Sequence, residues 1–417
     1  MTEGLRVLID ARLDRGQNGG VETVVLGLAE GLSGLDGDER YTFLVNATGH
    51  EWITRGLTGP CDAIQAPPAS SAAGNRGRAA VLRWLPWAAE PARTARWRLA
   101  AARDHLSPGS SLPAPPVSLS PYDVVHFPFQ QGFRTTLPTV FQPHDLQHVH
   151  LPQFFSASAR ARRTTIYGAL ARQAARVVVA SNFVAHDVEV NLGVPPSRIG
   201  VVNLAPSPLP SSPRADLAEL DLPDAFAYYP AATWPHKNHA TLIGALGRLH
   251  RNGVEVPLVC SGHLTEHHAA LVAQARELGV EHLVTYVGFV SDDVVSTLYR
   301  TARLVVVPTL FEAGSFPIWE AFAAGAPVAC SRVTSIPEQV SEAALLFDPL
   351  DAAAIADAIT RLWTDGALRE VLRTRGRARL AGLSWTETAL RMRATYRQVA
   401  GRGSTSDEET LARATVI

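Results

Sequence analysis

The chain has 417 residues, 46% of them hydrophobic and 18% charged, with a net charge of −1 at pH 7. This length favours two α/β domains of about 200 residues each, and the near-neutral charge excludes binding to nucleic acid or to an anionic membrane through overall charge. The three cysteines have neither disulfide nor metal-ligand spacing, the N-terminus has no signal-peptide pattern, and no apolar run reaches the ~20 residues of a membrane helix, so we expect a cytoplasmic protein.

The first half of the chain alternates short apolar runs with longer helical patterns. Arg6–Asp10 predicts a buried strand, Gly19 and Gly20 a turn, and Val21–Leu32 an amphipathic helix. Such alternation is typical of a parallel sheet, so residues 1–204 predict a doubly wound domain. Glycines in the first strand-to-helix turn allow a phosphate or a sugar to approach the backbone, although a Gly-Gly pair alone is weak evidence. The further predicted strands are Tyr41–Asn46, Val124–Phe127, Thr139–Gln142 and Val177–Ala180.

An insertion rich in Pro, Ser, Ala and Arg interrupts this domain at about residues 66–120. Its segment Arg76–Arg103 holds seven arginines and one glutamate among several tryptophans. We interpret it as an insertion whose apolar side packs on the domain while its arginines stay in solvent. The alternatives are an acceptor-binding role and a weak contact with a membrane surface. Pro86 and Pro91 predict that no long helix forms here.

The segment FQPHDLQHVH (Phe141–His150) follows a predicted strand and contains His144, Asp145 and His148. The four-residue separation of the two histidines allows a metal interpretation. The loop has no clear helical register, however, and Asp145 would point elsewhere. We therefore predict no metal site here.

A Pro- and Ser-rich stretch predicts a linker at residues 205–224. Residues 225–384 repeat the alternation and predict a second doubly wound domain. Residues 385–402 predict a helix that packs back toward the N-terminal domain, and the polar residues 403–417 predict a disordered tail. The predicted strands of the second domain are Ala227–Pro230, Leu258–Ser261, Val284–Val287, Leu304–Pro308 and Val328–Ala329.

The basic residues are strongly biased, because 37 of the 38 are arginines and only Lys237 is a lysine. This lysine lies in TWPHKNH, between the first strand and the first helix of the second domain. Open α/β sheets bind ligands at that edge, and a lysine there supplies a compact positive charge for a diphosphate. Chance placement of a single lysine is the alternative interpretation.

The run FEAGSFPIWEAFAAGAP (Phe311–Pro327) predicts a loop followed by a helix, with Ser315 as the N-cap. The free backbone N–H groups at such a helix start, next to the carboxyl end of a strand, are typical of an anion site. Glu312 and Glu320 flank this predicted pocket. Two glutamates near a helix start are also explained as simple complements of the helix dipole.

Together these residues resemble family 4 of the retaining glycosyltransferases, whose two Rossmann-like domains face a central cleft in the GT-B fold. The hallmark of the family, two glutamates separated by seven residues, is matched by Glu312 and Glu320, and the resemblance is nearly continuous from Tyr229 to Trp385. HDLQH, TWPHKNH and FEAGSFPIWEA are similar to a bacterial subgroup often assigned as mannosyltransferases. The resemblance implies a metal-independent, retaining hexosyltransferase with a nucleotide-sugar donor and a carbohydrate, lipid-linked or small-molecule acceptor.

By resemblance, Lys237 binds the donor diphosphate, Glu312 the hydroxyls of the transferred sugar, and Glu320 the ribose. His144 makes polar contacts near the reacting sugar, and Asp145 is assigned to the acceptor side. The other donor-binding residues that the resemblance implies are Gly19, Gly20, Phe289, Val290, Gly314, Ser315 and Phe316.

The sequence departs from the family pattern where an arginine usually precedes the lysine, because Ala231 and Ala232 occupy those positions. Neutralisation of the diphosphate therefore falls on Lys237 or on an arginine elsewhere. The usual Gly-Phe-Gly is also replaced by Ala313-Gly314-Ser315. The alternatives left open are a GT-B phosphorylase or sugar-nucleotide epimerase, and a catalytically inactive scaffold or binding subunit.

Overall fold

The computed structural model describes residues 4–16, 19–68, 86–206 and 215–415. The chain divides into two compact units, an N-terminal unit (residues 1–205 with 384–415) and a C-terminal unit (residues 206–383). Residues 69–85 of the predicted insertion and residues 207–214 of the predicted linker lie outside the described residues.

Thirteen strands and fifteen α-helices are assigned within the described residues. The strands are β1 (Arg6–Asp10), β2 (Arg40–Val45), β3 (Cys61–Gln65), β4 (Val124–Phe127), β5 (Thr139–Phe141), β6 (Arg176–Val179), β7 (Ile199–Val201), β8 (Ala227–Pro230), β9 (Leu258–Ser261), β10 (Val284–Gly288), β11 (Leu304–Val307), β12 (Val328–Ser331) and β13 (Ala344–Phe347). The helices are α1 (Gly20–Ser33), α2 (Glu51–Thr54), α3 (Pro86–Leu106), α4 (Gln147–His150), α5 (Ala157–Gln173), α6 (Asn182–Leu192), α7 (His239–Arg251), α8 (His268–Glu277), α9 (Asp292–Thr301), α10 (Phe316–Ala324), α11 (Ile336–Val340), α12 (Ala352–Thr364), α13 (Gly366–Arg379), α14 (Trp385–Val399) and α15 (Thr405–Ala412).

Each unit is built on one parallel sheet. The N-terminal sheet has the order β3-β2-β1-β4-β5-β6-β7 and the C-terminal sheet the order β10-β9-β8-β11-β12-β13. Every neighbouring pair of strands is parallel. Central strands such as β4 and β11 are buried along their whole length, because helices cover both faces of a doubly wound sheet. The predicted fold class is confirmed, whereas β3, β7 and β13 were not predicted.

Helix α14 packs in the N-terminal unit against α1. A Cβ atom added to Gly27 would lie 2.0 Å from the Trp385 ring, and one added to Gly31 would lie 2.2 Å from the Trp385 carbonyl oxygen. Small residues on α1 therefore allow the two helices to approach closely. Tyr396 of α14 is fully buried, and its hydroxyl lies 2.8 Å from Nδ1 of His126 in the core of the sheet.

The prediction that prolines break any long helix in the insertion is wrong, because α3 continues for 21 residues with Pro91 inside it. The helix is held on α5 at both ends. Near its start, Glu90 accepts hydrogen bonds from the backbone and hydroxyl of Ser158 at 2.7 and 2.8 Å. Near its end, the buried Asp104 pairs with Arg172. These tertiary anchors outweigh the single intrahelical hydrogen bond that Pro91 cannot donate.

The prediction of a disordered tail is wrong for Thr405–Ala412, which form α15. Ser404 and Asp407 form a reciprocal capping box at its start, which satisfies backbone N–H groups that would otherwise lack a partner. Asp407 is also buried and lies 3.2 Å from the guanidinium of Arg397 on α14. The polar composition of the tail thus reflects a short capped helix.

None of the helices in the described part of the chain combines the length and the apolar character needed to cross a membrane.

Candidate active site

The C-terminal sheet places the candidate site at the carboxyl ends of β8 and β11. These two strands are neighbours, and the strand order runs outward from them in both directions. Open α/β sheets bind ligands in the crevice at this switch point. The loops that follow the two strands are joined by a hydrogen bond of 2.8 Å from the backbone N–H of Leu310 to the carbonyl oxygen of His236.

Lys237 lies in the loop after β8, at the end of a short 3-10 turn (Pro235–Lys237). Its backbone is fixed because its carbonyl oxygen accepts a hydrogen bond of 2.8 Å from the Tyr229 hydroxyl. The next residue, Asn238, has φ 63° and donates side-chain hydrogen bonds to the carbonyl oxygens of Pro308 and Pro349 at 2.9 and 2.8 Å. The loop geometry therefore depends on three separate strand ends.

The Lys237 ammonium lies 2.6 Å from Oε1 of Glu312, and the two side chains are 23% and 14% exposed. The structure thus brings together Lys237 and Glu312, two of the residues that the sequence predicted for the donor site. Burial and the neighbouring charge of Lys237 lower the pKa of His236 to about 3. His236 therefore adds no positive charge to this loop at neutral pH.

Glu312 is positioned by residues that the sequence analysis missed. The hydroxyl of Thr334 accepts a hydrogen bond of 3.1 Å from the Glu312 backbone N–H and donates one to the Glu312 carbonyl oxygen. The hydroxyl of Ser335 donates to the same oxygen at 2.9 Å. A loop after β12 thereby clamps the loop after β11, and no local sequence signal indicates this pairing.

The start of α10 confirms Ser315 as the residue that precedes the helix, but its side chain forms no capping hydrogen bond. The backbone N–H of Ser315 donates to Oε1 of Gln339 at 2.9 Å, and the Gln339 amide returns a bond of 2.7 Å to the Ser315 carbonyl oxygen. A buried side chain therefore already satisfies the Ser315 N–H, and the donor-binding role of Ser315 stays a prediction. Gly314 and Phe316 keep their predicted role as expectations.

Glu320 lies within α10, and its Oε2 accepts a hydrogen bond of 2.8 Å from the Tyr299 hydroxyl. Tyr299 is fully buried and packs edge-on against Tyr228, with ring centroids 5.1 Å apart. Burial raises the pKa of Glu320, although the Tyr299 hydrogen bond opposes that shift. Tyr299 is thus a positioning residue for this carboxylate that the sequence analysis missed.

Phe289 and Val290, which the resemblance implies as donor-binding residues, follow β10 at the same edge of the sheet. The Phe289 ring is 73% exposed and stacks on His263, with centroids 4.7 Å apart and planes 14° from parallel. Beside them, Gly262 has φ 118°, and a Cβ atom there would lie 2.7 Å from the backbone nitrogen of Ala232. Only glycine fits that close approach between the β8 and β9 loops.

Ala231 and Ala232 occupy the positions where the family usually has an arginine. A second positive charge for the donor diphosphate must therefore come from another residue. In the described part of the C-terminal unit, Arg332 is the one arginine in a loop that follows the carboxyl end of a strand. It is exposed, two residues before Thr334 in the loop that clamps Glu312.

The predicted residues of the N-terminal unit lie at the carboxyl edge of its own sheet. Gly19 precedes α1 with φ 52° and ψ −128°, a conformation that favours glycine, and Gly20 is the first residue of the helix. His144 also has a positive φ, of 63°, and its Nε2 lies 2.7 Å from the Pro128 carbonyl oxygen. Asp145 accepts a hydrogen bond of 3.1 Å from the backbone of Gln147.

His148, whose spacing from His144 allowed a metal interpretation, is a buried residue. His148 is buried between the rings of Tyr167 and Phe155, and burial lowers its pKa to about 4. Among the described residues, one group of three has ligand atoms within 4.8 Å of one another: His250, Glu255 and His282. These residues lie at the amino-terminal edge of the C-terminal sheet, opposite the edge that carries Lys237.

Comparison with protein families identifies both halves of the chain. Residues 18–204 match the model described as "Glycosyltransferase Family 4", and residues 218–379 match "Glycosyl transferases group 1". The chain belongs to the family 4 glycosyltransferases. The second match contains the Lys237–Glu312 pair and Glu320, while the first contains Gly19 and His144.

Among characterised glycosyltransferases of this kind, the O-antigen chain mannosyltransferase B of Escherichia coli is 32% identical over 216 residues, which is 50% of this chain and 57% of that protein. The MMP alpha-(1->4)-mannosyltransferase of Mycolicibacterium hassiacum is 28% identical over 238 residues, or 56% of each chain. The matched regions thus span little more than half the length of these relatives.

Solved structures of similar fold cover nearly the whole chain. Sucrose-phosphate synthase from Thermosynechococcus elongatus superposes with a TM-score of 0.65 at 20% identity, covering 95% of this chain and 99% of that one. Anabaena HepE in complex with UDP and glucose gives a TM-score of 0.66 at 17% identity, covering 94% and 100%. These likenesses establish a GT-B glycosyltransferase fold.

Proposed function

We propose that this chain is a retaining glycosyltransferase that transfers a hexose from a nucleotide diphosphate sugar to a hydroxyl group of a carbohydrate, lipid-linked or small-molecule acceptor. The observation that carries the proposal is the Lys237–Glu312 pair, with Nζ and Oε1 2.6 Å apart at the switch point of the C-terminal sheet. Mannose is the sugar that we propose, because the two relatives described above are named as mannosyltransferases.

The chemistry needs positive charge at the leaving group. When the bond between the sugar and the diphosphate breaks, negative charge develops on the diphosphate, and the Lys237 ammonium is the group that we assign to it. Fixed charges and N–H dipoles in a site that excludes water contribute several kcal/mol to such a step. We propose that the N–H groups of Gly314 and Phe316 assist, and that Arg332 supplies the second cation. No metal ion is required in this scheme.

Carboxylates hold the neutral parts of the donor. Glu312, held by Lys237 and by the Thr334 clamp, accepts hydrogen bonds from hydroxyls of the transferred sugar. Glu320, oriented by Tyr299, accepts them from the ribose. Ionised carboxylates accept hydrogen bonds more strongly than neutral groups.

His144 acts as a neutral hydrogen-bond acceptor in this proposal. Its Nε2 must carry the proton, because its partner, the Pro128 carbonyl oxygen, can only accept a hydrogen bond. Burial lowers the pKa of His144 to about 4, so the ring is uncharged at pH 7. Its Nδ1 is then left as the acceptor for a sugar hydroxyl.

The transfer proceeds by attack from the face that the diphosphate leaves. The C1–O bond to the diphosphate breaks with its electron pair going to the phosphate oxygen. The acceptor oxygen forms the new bond to C1, and its proton passes to the departing diphosphate. The anomeric configuration is therefore retained.

The test begins with thermal-shift screening of purified protein against nucleotide sugars, because a bound donor raises the melting temperature. The donor that binds is then used to turn over an acceptor, and NMR of the product gives its anomeric configuration. Retention of the anomeric configuration is expected, and inversion contradicts the mechanism.

Activity that persists in EDTA supports a metal-independent reaction, whereas a loss of activity that Mg²⁺ restores contradicts it. Donor hydrolysis that survives unchanged in both Lys237→Ala and Glu312→Ala would refute the assigned site.

A further inference from the structure

Two adjoining cavities lie within the N-terminal unit along α5, the larger between α3 and α5 and the smaller between α5 and the start of α1. The larger encloses about 450 Å³ and is bordered by Arg96 and Trp97 of α3. The smaller encloses about 170 Å³ and reaches Val21 at the start of α1. Gln131, Arg162 and Ile166 line both cavities, so the two form one continuous groove.

The charged side chains that line this groove are all basic. Arg96, Arg162 and Arg163 line it, and neither cavity has an aspartate or glutamate in its lining. Within the described residues, none of these three arginines forms an ion pair with a carboxylate. Arg162 lines both cavities, Arg96 lines the larger one, and Arg163 lines the smaller one, where its guanidinium also faces the Phe155 ring at 4.8 Å and donates to the Tyr167 hydroxyl at 3.2 Å. Guanidinium groups without a carboxylate partner along one groove attract an anion, and the planar guanidinium favours phosphate because it can donate two parallel hydrogen bonds.

The groove also offers apolar surfaces suited to a sugar ring. Trp97 is partly exposed, and the Arg96 guanidinium lies 5.8 Å from its ring centroid. Ile166 lines both cavities and is partly exposed, whereas Tyr167, which borders the smaller one, is buried and offers little surface to a ligand. Aromatic faces beside polar groups pack well against a ligand that has both an apolar face and hydroxyls.

The walls of the groove are fixed in place. Helix α3 is fastened to α5 by the Glu90–Ser158 hydrogen bonds and by the Asp104–Arg172 pair, on either side of Arg96 and Trp97. Between them, the Thr165 hydroxyl donates to the Trp97 carbonyl oxygen at 3.2 Å. The arginines are thus presented on a preformed surface, which lowers the entropic cost of binding.

The smaller cavity adjoins the segment that positions His144. Phe129 and Gln130 line it, and the Gln130 amide donates to the Pro143 carbonyl oxygen at 3.2 Å. The residue before them, Pro128, accepts the hydrogen bond from His144. A ligand in the groove therefore extends from the neighbourhood of His144 toward the arginines of α3 and α5.

We propose that this groove binds an acceptor in which a sugar carries a phosphate group, with the phosphate held by Arg96, Arg162 and Arg163 and the sugar directed toward His144. This inference rests on the proposed function, because it names the acceptor class of that reaction. Helix α3, which lies in the predicted insertion, thus contributes to the acceptor preference of this chain.

The test uses the full-length protein and isothermal titration calorimetry with mannose 6-phosphate, mannose and inorganic phosphate as probes. Mannose 6-phosphate is expected to bind at least tenfold more tightly than mannose. Arg162→Gln is expected to weaken its binding at least tenfold, since this residue lines both cavities, and Arg96→Gln and Trp97→Ala less. Arg98→Gln is the matched control, because Arg98 lies on the same helix, is exposed and lines neither cavity.

Several outcomes overturn the proposal. Equal affinity for mannose 6-phosphate and mannose would remove the role of phosphate, and equal weakening by Arg98→Gln and Arg162→Gln would reduce the effect to overall charge. Binding only to vesicles of phosphatidylglycerol and phosphatidylcholine, with none to the soluble probes, would show that the arginines serve a membrane surface.

A separate variant distinguishes failure of this inference from failure of the proposed function. Lys237→Ala is expected to abolish donor hydrolysis and to leave mannose 6-phosphate binding unchanged. If no nucleotide sugar is turned over by the wild-type protein but the arginine-dependent binding persists, the proposed function fails while the anion site stands. If donor hydrolysis is normal and arginine-dependent binding is absent, the acceptor inference alone fails.

Discussion

The two units share a strand order around their first strands but differ in what they present at the carboxyl edge of the sheet. In the C-terminal unit, the loop after the first strand carries Lys237, paired with a carboxylate 2.6 Å away. In the N-terminal unit, the corresponding loop leads into α1 through Gly19, whose backbone has φ 52°. The loop of the C-terminal unit provides a charged side chain, whereas the loop of the N-terminal unit provides a backbone conformation that favours glycine.

The two units also differ in whether their basic side chains are paired with carboxylates. The C-terminal site balances its lysine with Glu312 and fixes that carboxylate through Thr334 and Ser335. The groove of the N-terminal unit leaves three arginines without a carboxylate in its lining. A balanced site suits a ligand that must be bound, broken and released, whereas an unbalanced groove suits the anionic part of a ligand that stays intact. The same sheet topology thus supports two kinds of recognition.

The largest effect is expected from Lys237→Arg, which keeps the charge of the C-terminal site but changes its shape. A guanidinium is larger and planar, and it cannot occupy the position of an ammonium 2.6 Å from Glu312 without displacing the carboxylate. We expect kcat/KM to fall by about 100-fold or more, the range seen when one electrostatic group is removed from an active site. Initial rates with the donor would measure this, with the exposed Arg276→Lys as control. Near-normal turnover would show that charge alone suffices.

Gly19→Ala tests whether the N-terminal unit depends on backbone shape. An added Cβ atom at Gly19 would meet nothing within 4 Å, so any cost must come from the backbone conformation. Conformations of this kind cost a non-glycine residue roughly 1–3 kcal/mol. Urea denaturation should show that loss, with Gly56→Ala, equally open in space but without a positive φ, as the control. Equal effects of the two variants would contradict the argument.

Glu320→Gln tests how much the buried carboxylate of Glu320, which we assign to donor binding, lowers the free energy of unfolding. Because the folded-state pKa of Glu320 is raised, the folded protein loses stability as pH rises above the unfolded value of about 4.3. The variant has no such titration, so its free energy of unfolding should match the wild type near pH 3.5 and exceed it increasingly toward pH 7. Donor kcat/KM should fall by about tenfold with the loss of a charged acceptor.

The control for this pH dependence is Glu281→Gln, which should give the opposite sign. A hydrogen bond from Arg276 lowers the pKa of Glu281 on the protein surface. Its ionised form therefore stabilises the fold above the unfolded pKa, so the variant should be slightly less stable at pH 7 and equal at low pH. A Glu320→Gln difference that shrinks as pH rises would contradict the buried-carboxylate argument.

Arg332→Ala asks whether the C-terminal site has a second cation. If Arg332 contacts the diphosphate from an exposed loop, its loss should raise the KM for the donor by roughly fivefold, because an exposed charge pair contributes up to ~1 kcal/mol. Arg375→Ala, an exposed arginine of α13 that pairs with Glu342, is the control. An unchanged KM would leave Lys237 as the single cation of the proposed site.

The sequence predicted the C-terminal unit more fully than the N-terminal unit, for a physical reason. Lys237, Glu312 and Glu320 lie on short loops and a helix whose positions follow directly from the strand pattern, so their common location at one sheet edge could be inferred. Thr334, Gln339 and Tyr299 support these residues through contacts between segments that are distant in the chain. Such contacts leave no periodic or compositional signal.

In the N-terminal unit the missed features depend on tertiary anchors. Pro91 is a strong local signal against a long helix, yet α3 forms because Glu90 and Asp104 bind α5. The groove beside it is lined by segments that begin at Val21 and end at Tyr167, and only the fold brings them together. The arginines were visible in the sequence, but their convergence was not.

The smallest effect is expected from Asp407→Ala, which tests how the C-terminal helix α15 is attached to the N-terminal unit. Burial alone would raise the pKa of Asp407, but the hydrogen bonds from Ser404 and the charge of Arg397 together hold it below the ordinary value. Its contribution to stability is therefore present above the unfolded pKa of about 3.9 and is lost as pH falls through the folded value. Loss of the hydrogen bonds that Asp407 accepts from Ser404 and of its pair with Arg397 should cost about 1 kcal/mol. Urea denaturation should show that decrease at pH 7 and a smaller one at pH 3, whereas Glu409→Ala, exposed on the same helix, should change little at either pH. A decrease that is equal at both pH values would mean that Asp407 acts by packing rather than by charge, and that α15 is held to α14 by contacts other than the Arg397–Asp407 pair.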